Sequence, residues 1–226
     1  MTSRDLEIGG KDRILVVAPH PDDESLGCGG LIALARRRGL SVWVVFMTDG
    51  SGSHRSSTVT RRRLGTIRRR EAAHALFLLG VRPAFIIRMG LKDRFVAPGR
   101  LAGEGAAARA RRMLEDWRPS LLVIPSKDDR HGDHRATAAI WQLAARRATC
   151  RLRQIDYSIW PGRSAAEHSR LTLDITPVRY LKRQAIRAHR SQHGLVIRDD
   201  PAGFVLPSVL LANATRSLEI YDEKIS

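Results

Sequence analysis

At 226 residues, 43% of them hydrophobic, the chain can fill one α/β core, so one domain is expected over 13–226 behind a flexible N-terminal segment at 1–12. No apolar stretch approaches the roughly 20 residues of a membrane span, and two cysteines are too few for a disulfide framework; a cytoplasmic protein is expected. The formal charge of +16 is mostly arginine, in clusters on expected helices without interleaved aromatic residues, which reads as solvated helix faces and not as a specific nucleic-acid surface.

Ile14 to Val17 is an apolar, β-branched run of strand type. Pro19 and Pro21 forbid its continuation as a paired strand, so His20, Asp22, Asp23 and Glu24 fall in the turn where a strand hands over to a helix. Acids before a helix commonly cap it, but three in a row after a histidine repel one another, and a divalent cation would remove that repulsion. Leu26 to Arg38 has helical spacing, closed by Gly39, and Val42 to Phe46 is a second buried strand. The polar stretch Ser51 to Thr60 follows a strand end, where loops form the rim of active sites.

Thr60 to Leu79 is a long helix ending at Gly80, Phe85 to Ile87 a short third strand, and Ala106 to Trp117 a helix stopped by Pro119. Leu121 to Ile124 is the fourth strand, and Pro125 breaks it. The polar cluster that follows, with His131, Asp133 and His134, stands at the start of a helix over Arg135 to Ala148, as the first cluster does. Further strands are expected at 152–160 and 171–175, and a helix over Pro177 to His189. The tail from Asp199 carries a few apolar runs and no legible chemistry.

Strands alternating with helices imply a three-layer, Rossmann-like fold: a doubly wound, mostly parallel sheet. In the strand order 3-2-1-4-5 the first and fourth strands are neighbours, and ligands bind between their carboxyl ends. Both polar clusters follow those two strands. His20, Asp23 and His134 then offer two imidazoles and a carboxylate to one ion, leaving a coordination place for water, the pattern of a catalytic zinc; iron or another divalent ion would accept the same set. On this reading the metal acidifies its water, Asp22 takes the proton, His131 donates to the oxyanion formed at a carbonyl, and Asp133 orients His131.

At these residues the sequence resembles the PIG-L/LmbE family of zinc-dependent N-deacetylases, which act on N-acetylglucosamine-type sugars and glycoconjugates. Pro19 to Glu24 matches the first family motif and His131 to His134 the second, with Gly132 where many relatives carry proline. Weaker echoes are Arg68 with Glu71, and Lys182, Ala185, His189, Ser191 and Gln192. The resemblance implies Zn2+ as cofactor, a small-molecule or glycoconjugate substrate, and Arg68 and Asp93 as contacts to sugar hydroxyls; assembly as a homo-oligomer is compatible with it. It leaves the rim at 51–60 and the stretch at 94–104 as the places where substrate choice would differ.

Two other readings compete. A metal-dependent phosphoesterase on the same scaffold would need ligands beyond these three, for which Glu24, Asp49 and Asp128 are available. A nucleotide-binding module would use the turn Gly27-x-Gly29-Gly30, short of the dinucleotide fingerprint and preceded by acids that repel a pyrophosphate.

Overall fold

A computed structural model of the chain describes residues 3–93, 101–160 and 168–224. Eight strands form a single sheet: β1 (Arg4–Asp5), β2 (Arg13–Ala18), β3 (Ser41–Thr48), β4 (Ile86–Leu91), β5 (Leu121–Pro125), β6 (Arg153–Tyr157), β7 (His168–Asp174) and β8 (Leu218–Lys224). Among the described residues six α-helices accompany them: α1 (Asp23–Arg37), α2 (Arg61–Leu78), α3 (Leu101–Trp117), α4 (Gly132–Arg147), α5 (Arg179–Ala188) and α6 (Ser208–Ala214). The strand order is β1-β7-β8-β6-β5-β2-β3-β4. Its run β4-β3-β2-β5-β6 is parallel throughout and carries the expected 3-2-1-4-5 arrangement.

The alternation of strand side chains divides the core into two layers. Ile14, Val16 and Ala18 of β2 pack with α1, α2 and α5, whereas Leu15 and Val17 pack with α3 and α4 around the fully buried Trp141. Three elements go beyond the sequence reading. β8 lies between β6 and β7, antiparallel to both, and α6 precedes it. Within the segment expected to be flexible, Arg4–Asp5 pairs with β7 and the Leu6 amide donates to Thr172 O.

Both helices that carry the polar clusters begin earlier than expected, α1 at Asp23 and α4 at Gly132, because the cluster residues form their first turns. Each cluster thus sits at a helix N-terminus, where free N–H groups and the helix dipole favour carboxylates. Among the described residues no helix is long and apolar enough to cross a membrane.

Candidate active site

The turn after β2 is pinned from its neighbour: Thr48, at the end of β3, donates to Pro19 O from both its backbone N and its Oγ1, each at 3.0 Å. Asp22 caps α1 at φ 144°, a left-handed conformation that a side-chain-bearing residue adopts only under constraint. That constraint is visible. Its N–H is held by Glu24 Oε2 at 2.9 Å, its carbonyl accepts from Ser25 and Leu26, and Arg68 Nη2 stands 3.2 Å from its Oδ1. Burial pushes the Asp22 carboxyl up to about 6, against the pull of Arg68.

Asp23 Oδ2 lies between two imidazoles, 3.2 Å from His20 Nδ1 and 3.2 Å from His134 Nε2. The topological expectation is met: an early turn and a mid-chain helix start share one carboxylate oxygen. On the far side of His134, Nδ1 meets Asp129 Oδ2 at 3.1 Å, which leaves Nε2 to face the cleft. Burial alone would lower the His134 pKa, but Asp23 and Asp129 outweigh it and raise it to about 9. Burial would raise that of Asp23, and His134 and His20 hold it well below the usual carboxylate range.

His20 Nε2 meets Asp133 Oδ2 and Asp93 Oδ1, both at 3.1 Å. Asp93 Oδ2 accepts from the Gly52 amide at 2.7 Å, so the rim loop is tied to the same carboxylate. His131 stands edge-on to His20 with ring centres 4.8 Å apart and caps α4, its Nδ1 accepting from the Asp133 amide at 3.2 Å. That contact fixes the tautomer: a ring nitrogen that accepts carries no proton, so the neutral imidazole has its N–H on Nε2. Burial, with His20 and His134 close by, lowers the His131 pKa and favours the neutral form. Asp133 thus meets His131 through its backbone and His20 through its carboxylate.

A cleft of about 100 Å³ joins these groups, with Arg68, Asp93 and Gln192 on its polar side and Leu26, Ile159, Trp160, Phe204 and Leu206 on its apolar side. Trp160 and Phe204 meet edge to face, 6.1 Å between centres. The donor set fits a divalent ion. Ring nitrogens of His20, His131 and His134 lie within 4.8 Å of one another, as do a His20 nitrogen and carboxylate oxygens of Asp93 and Asp133. Asp23 joins the first group through its Oδ2, 3.2 Å from His20 and His134, and the Asp129–His134 contact is the kind of outer support that orients a metal-binding histidine.

The family model of GlcNAc-PI de-N-acetylase, PIG-L, matches residues 15–145, more than half of the chain and both polar clusters. The chain belongs to the PIG-L family. The probable N-acetyl-alpha-D-glucosaminyl L-malate deacetylase 2 of Bacillus subtilis (strain 168) is 30% identical over 197 residues, 84% of this chain and 87% of that one. Among solved structures, the conserved protein TT1542 of Thermus thermophilus superposes with a TM-score of 0.71 at 27% identity, covering 95% of each chain. The 4-carboxy-2-hydroxymuconate hydratase GalB of Pseudomonas putida KT2440 shares the fold at a TM-score of 0.66 and 22% identity, over 81% of each chain. A hydratase on this PIG-L fold means that chemistry must be argued from the side chains.

The weaker PIG-L motifs prove to be contacts that brace the turn. Glu24 Oε1 meets His189 Nε2 at 3.0 Å, so Glu24, held between His189 and the Asp22 amide, faces away from the cleft. Glu71 accepts from Ser191 N and Oγ at 2.9 and 2.6 Å, joining α2 to the segment that carries Gln192. Lys182 pairs with Glu219 at 2.6 Å, both buried. The glycines of α1 are there for close packing: a Cβ on Gly27 would lie 2.4 Å from the Tyr157 ring, and one on Gly30 2.3 Å from Ile175.

Asp129 is the residue that sequence reasoning missed. It is buried, accepts from the His131, Ile159 and Trp160 amides as well as meeting His134, and nothing in the pair Asp128-Asp129 marks which carboxylate turns inward. The rim at 51–60 is tied to the tail, Asp199 accepting from Ser56, Ser57 and Thr58 and the Phe204 amide donating to Ser53 O. Of the stretch at 94–104, residues 94–100 lie outside the described residues.

Proposed function

We propose that the chain is a metal-dependent hydrolase that removes the acetyl group from an N-acetylglucosamine-type glycoside, with His20, Asp23 and His134 holding the ion. What carries the reading is the single Asp23 oxygen placed between two imidazoles, with the elevated Asp22 carboxyl directly beside it. A divalent cation held there supplies Lewis-acid activation of water and of the amide carbonyl.

Asp22 is the base. A carboxyl near 6 takes a proton from water more readily than an ordinary aspartate, and Arg68 fixes which way it points. His131, neutral with its proton on Nε2, donates to the oxygen that gains charge as water attacks the amide carbon. As the C–N bond breaks, the proton taken by Asp22 passes to the departing nitrogen, giving acetate and the free amine. Asp133 and Asp93 hold His20, and Asp129 holds His134. The sugar would lie along Trp160 and Phe204, its hydroxyls toward Arg68, Asp93 and Gln192; Gln192 Oε1 is buried without a hydrogen-bond partner among the described residues, an acceptor waiting for a donor.

The malate deacetylase of Bacillus and the GlcNAc-PI family description support an N-acetylglucosamine conjugate as substrate class. The test is acetate release from a panel of N-acetylglucosamine conjugates with metal content measured on the same sample. Release that tracks one zinc or iron per chain is expected; a protein that binds no divalent ion and stays inert with added metal is not this enzyme.

A further inference from the structure

We propose that a second cavity, on the other side of the catalytic turn, is an oxyanion site taking a phosphoryl, sulfate or carboxylate group. This cavity of about 360 Å³ lies between α2 and the ends of β3 and β4, with Pro21, Asp49, Arg62, Thr66, Arg69 and Arg88 on its wall. Positions 62, 66 and 69 share one face of α2, and Arg88 approaches from β4, so three guanidiniums converge from two elements.

Their local bonding supplies no carboxylate: the side chains remain exposed, and Arg88 lies over the Phe46 ring at 5.9 Å. Arg69 Nη2 donates to Thr66 Oγ1 at 3.3 Å, and Arg88 Nη2 to the Arg69 carbonyl at 3.4 Å. Among the described residues none of the three forms an ion pair, while Arg4, Arg68, Arg111 and Arg153 do. Asp49, the acid on this wall, is engaged by the Ser51 amide through Oδ1 and packs its other oxygen against Gly65. Partial burial and the like charge of Arg69 both pull the Arg88 pKa down. Planar guanidiniums that line a cavity and pair with no carboxylate, Asp49 on the same wall included, are the arrangement that an oxyanion completes, by paired, charge-assisted hydrogen bonds.

The wall is also the back of the active site. Pro21 O accepts from Arg68 Nη2 at 2.6 Å, and the next residue is Asp22. The oxyanion has two sources, a free inorganic anion or a group carried by the substrate.

Inorganic sulfate is the probe, titrated calorimetrically into the metal-loaded protein. Saturable binding is expected, weakened about tenfold in Arg62→Gln and abolished in Arg69→Gln/Arg88→Gln with unchanged metal content. Kinetics then identify the source. Sulfate that changes kcat on a neutral N-acetylglucosamine glycoside marks a free-anion site; sulfate that competes only with a phosphorylated glycoside, whose KM rises in the arginine variants, marks the substrate's own group. Absence of saturable binding overturns the proposal, as does binding kept in the arginine variants and lost in Asp23→Asn, which would put the anion in the catalytic cleft. The titration does not use the deacetylase reading, so an inactive protein that still binds sulfate through these arginines would sink that reading and leave the oxyanion site standing.

Discussion

The strained backbone at Asp22 and its raised pKa are the features on which its proposed role as base rests. Asp22→Asn removes the base and keeps the shape, so acetate release should fall by about 10²–10⁴-fold with metal content unchanged; a fully active variant would show that another group is the base. Asp129→Asn makes a separate prediction, because the Asp129 carboxylate meets the His134 ring and the His131 amide from behind and does not line the cleft. Losing that support should weaken metal binding by about 10–100-fold, read by competition with a chelator, and activity should return at saturating metal. The two aspartates also mark the limit of what residues alone disclose. Asp22 was legible because a proline turn and a neighbouring histidine gave it a setting. Asp129 was not, because its role depends on Ile159 and Trp160 amides that only the folded chain brings to it.

Helices and strands were legible where a buried face repeats with a regular period, and unread where burial inverts the usual pattern. In β8 the apolar Leu218 and Ile220 are 49% and 51% exposed while Glu219 is 4% exposed, held inside by Lys182 and by the Gly30 and Leu31 amides of α1. No polarity rule would place that glutamate in a core. The glycines of α1 misdirect in the opposite sense, imitating a phosphate loop although their neighbours are Tyr157 and Ile175. Gly30→Ala should therefore lower thermal stability by about 1–3 kcal/mol through overpacking, read from the melting temperature, and leave metal affinity intact. At the rim, Asp199 is held below the usual aspartate range by the Ser57 and Ser56 hydroxyls and nearby amides. A depressed carboxyl keeps its bonds above its ordinary pKa and loses them as pH falls through the lowered one, so the tie holds at neutral pH. Asp199→Ala should release it at every pH, seen as faster amide exchange at 55–60.

The whole-molecule result is that topology, more than local propensity, makes the site: β2 and β5 are neighbours because right-handed crossovers leave that order, and so residues 20–23 meet residue 134. Net charge acts at the same scale. A chain of +16 carries a field that reaches beyond any one pocket and attracts anionic ligands from solution. For an anionic N-acetylglucosamine conjugate, kcat/KM should fall as sodium chloride rises, with most of the loss by about 0.15 M, where the screening length is about 8 Å. A neutral conjugate should show a flat profile. This long-range term is separable from the local cavity, because Arg69→Gln/Arg88→Gln removes two of 39 basic residues and should leave the salt slope nearly unchanged even though it abolishes sulfate binding. Equal slopes for the anionic and neutral conjugates would mean that the surplus arginine does nothing for long-range substrate capture.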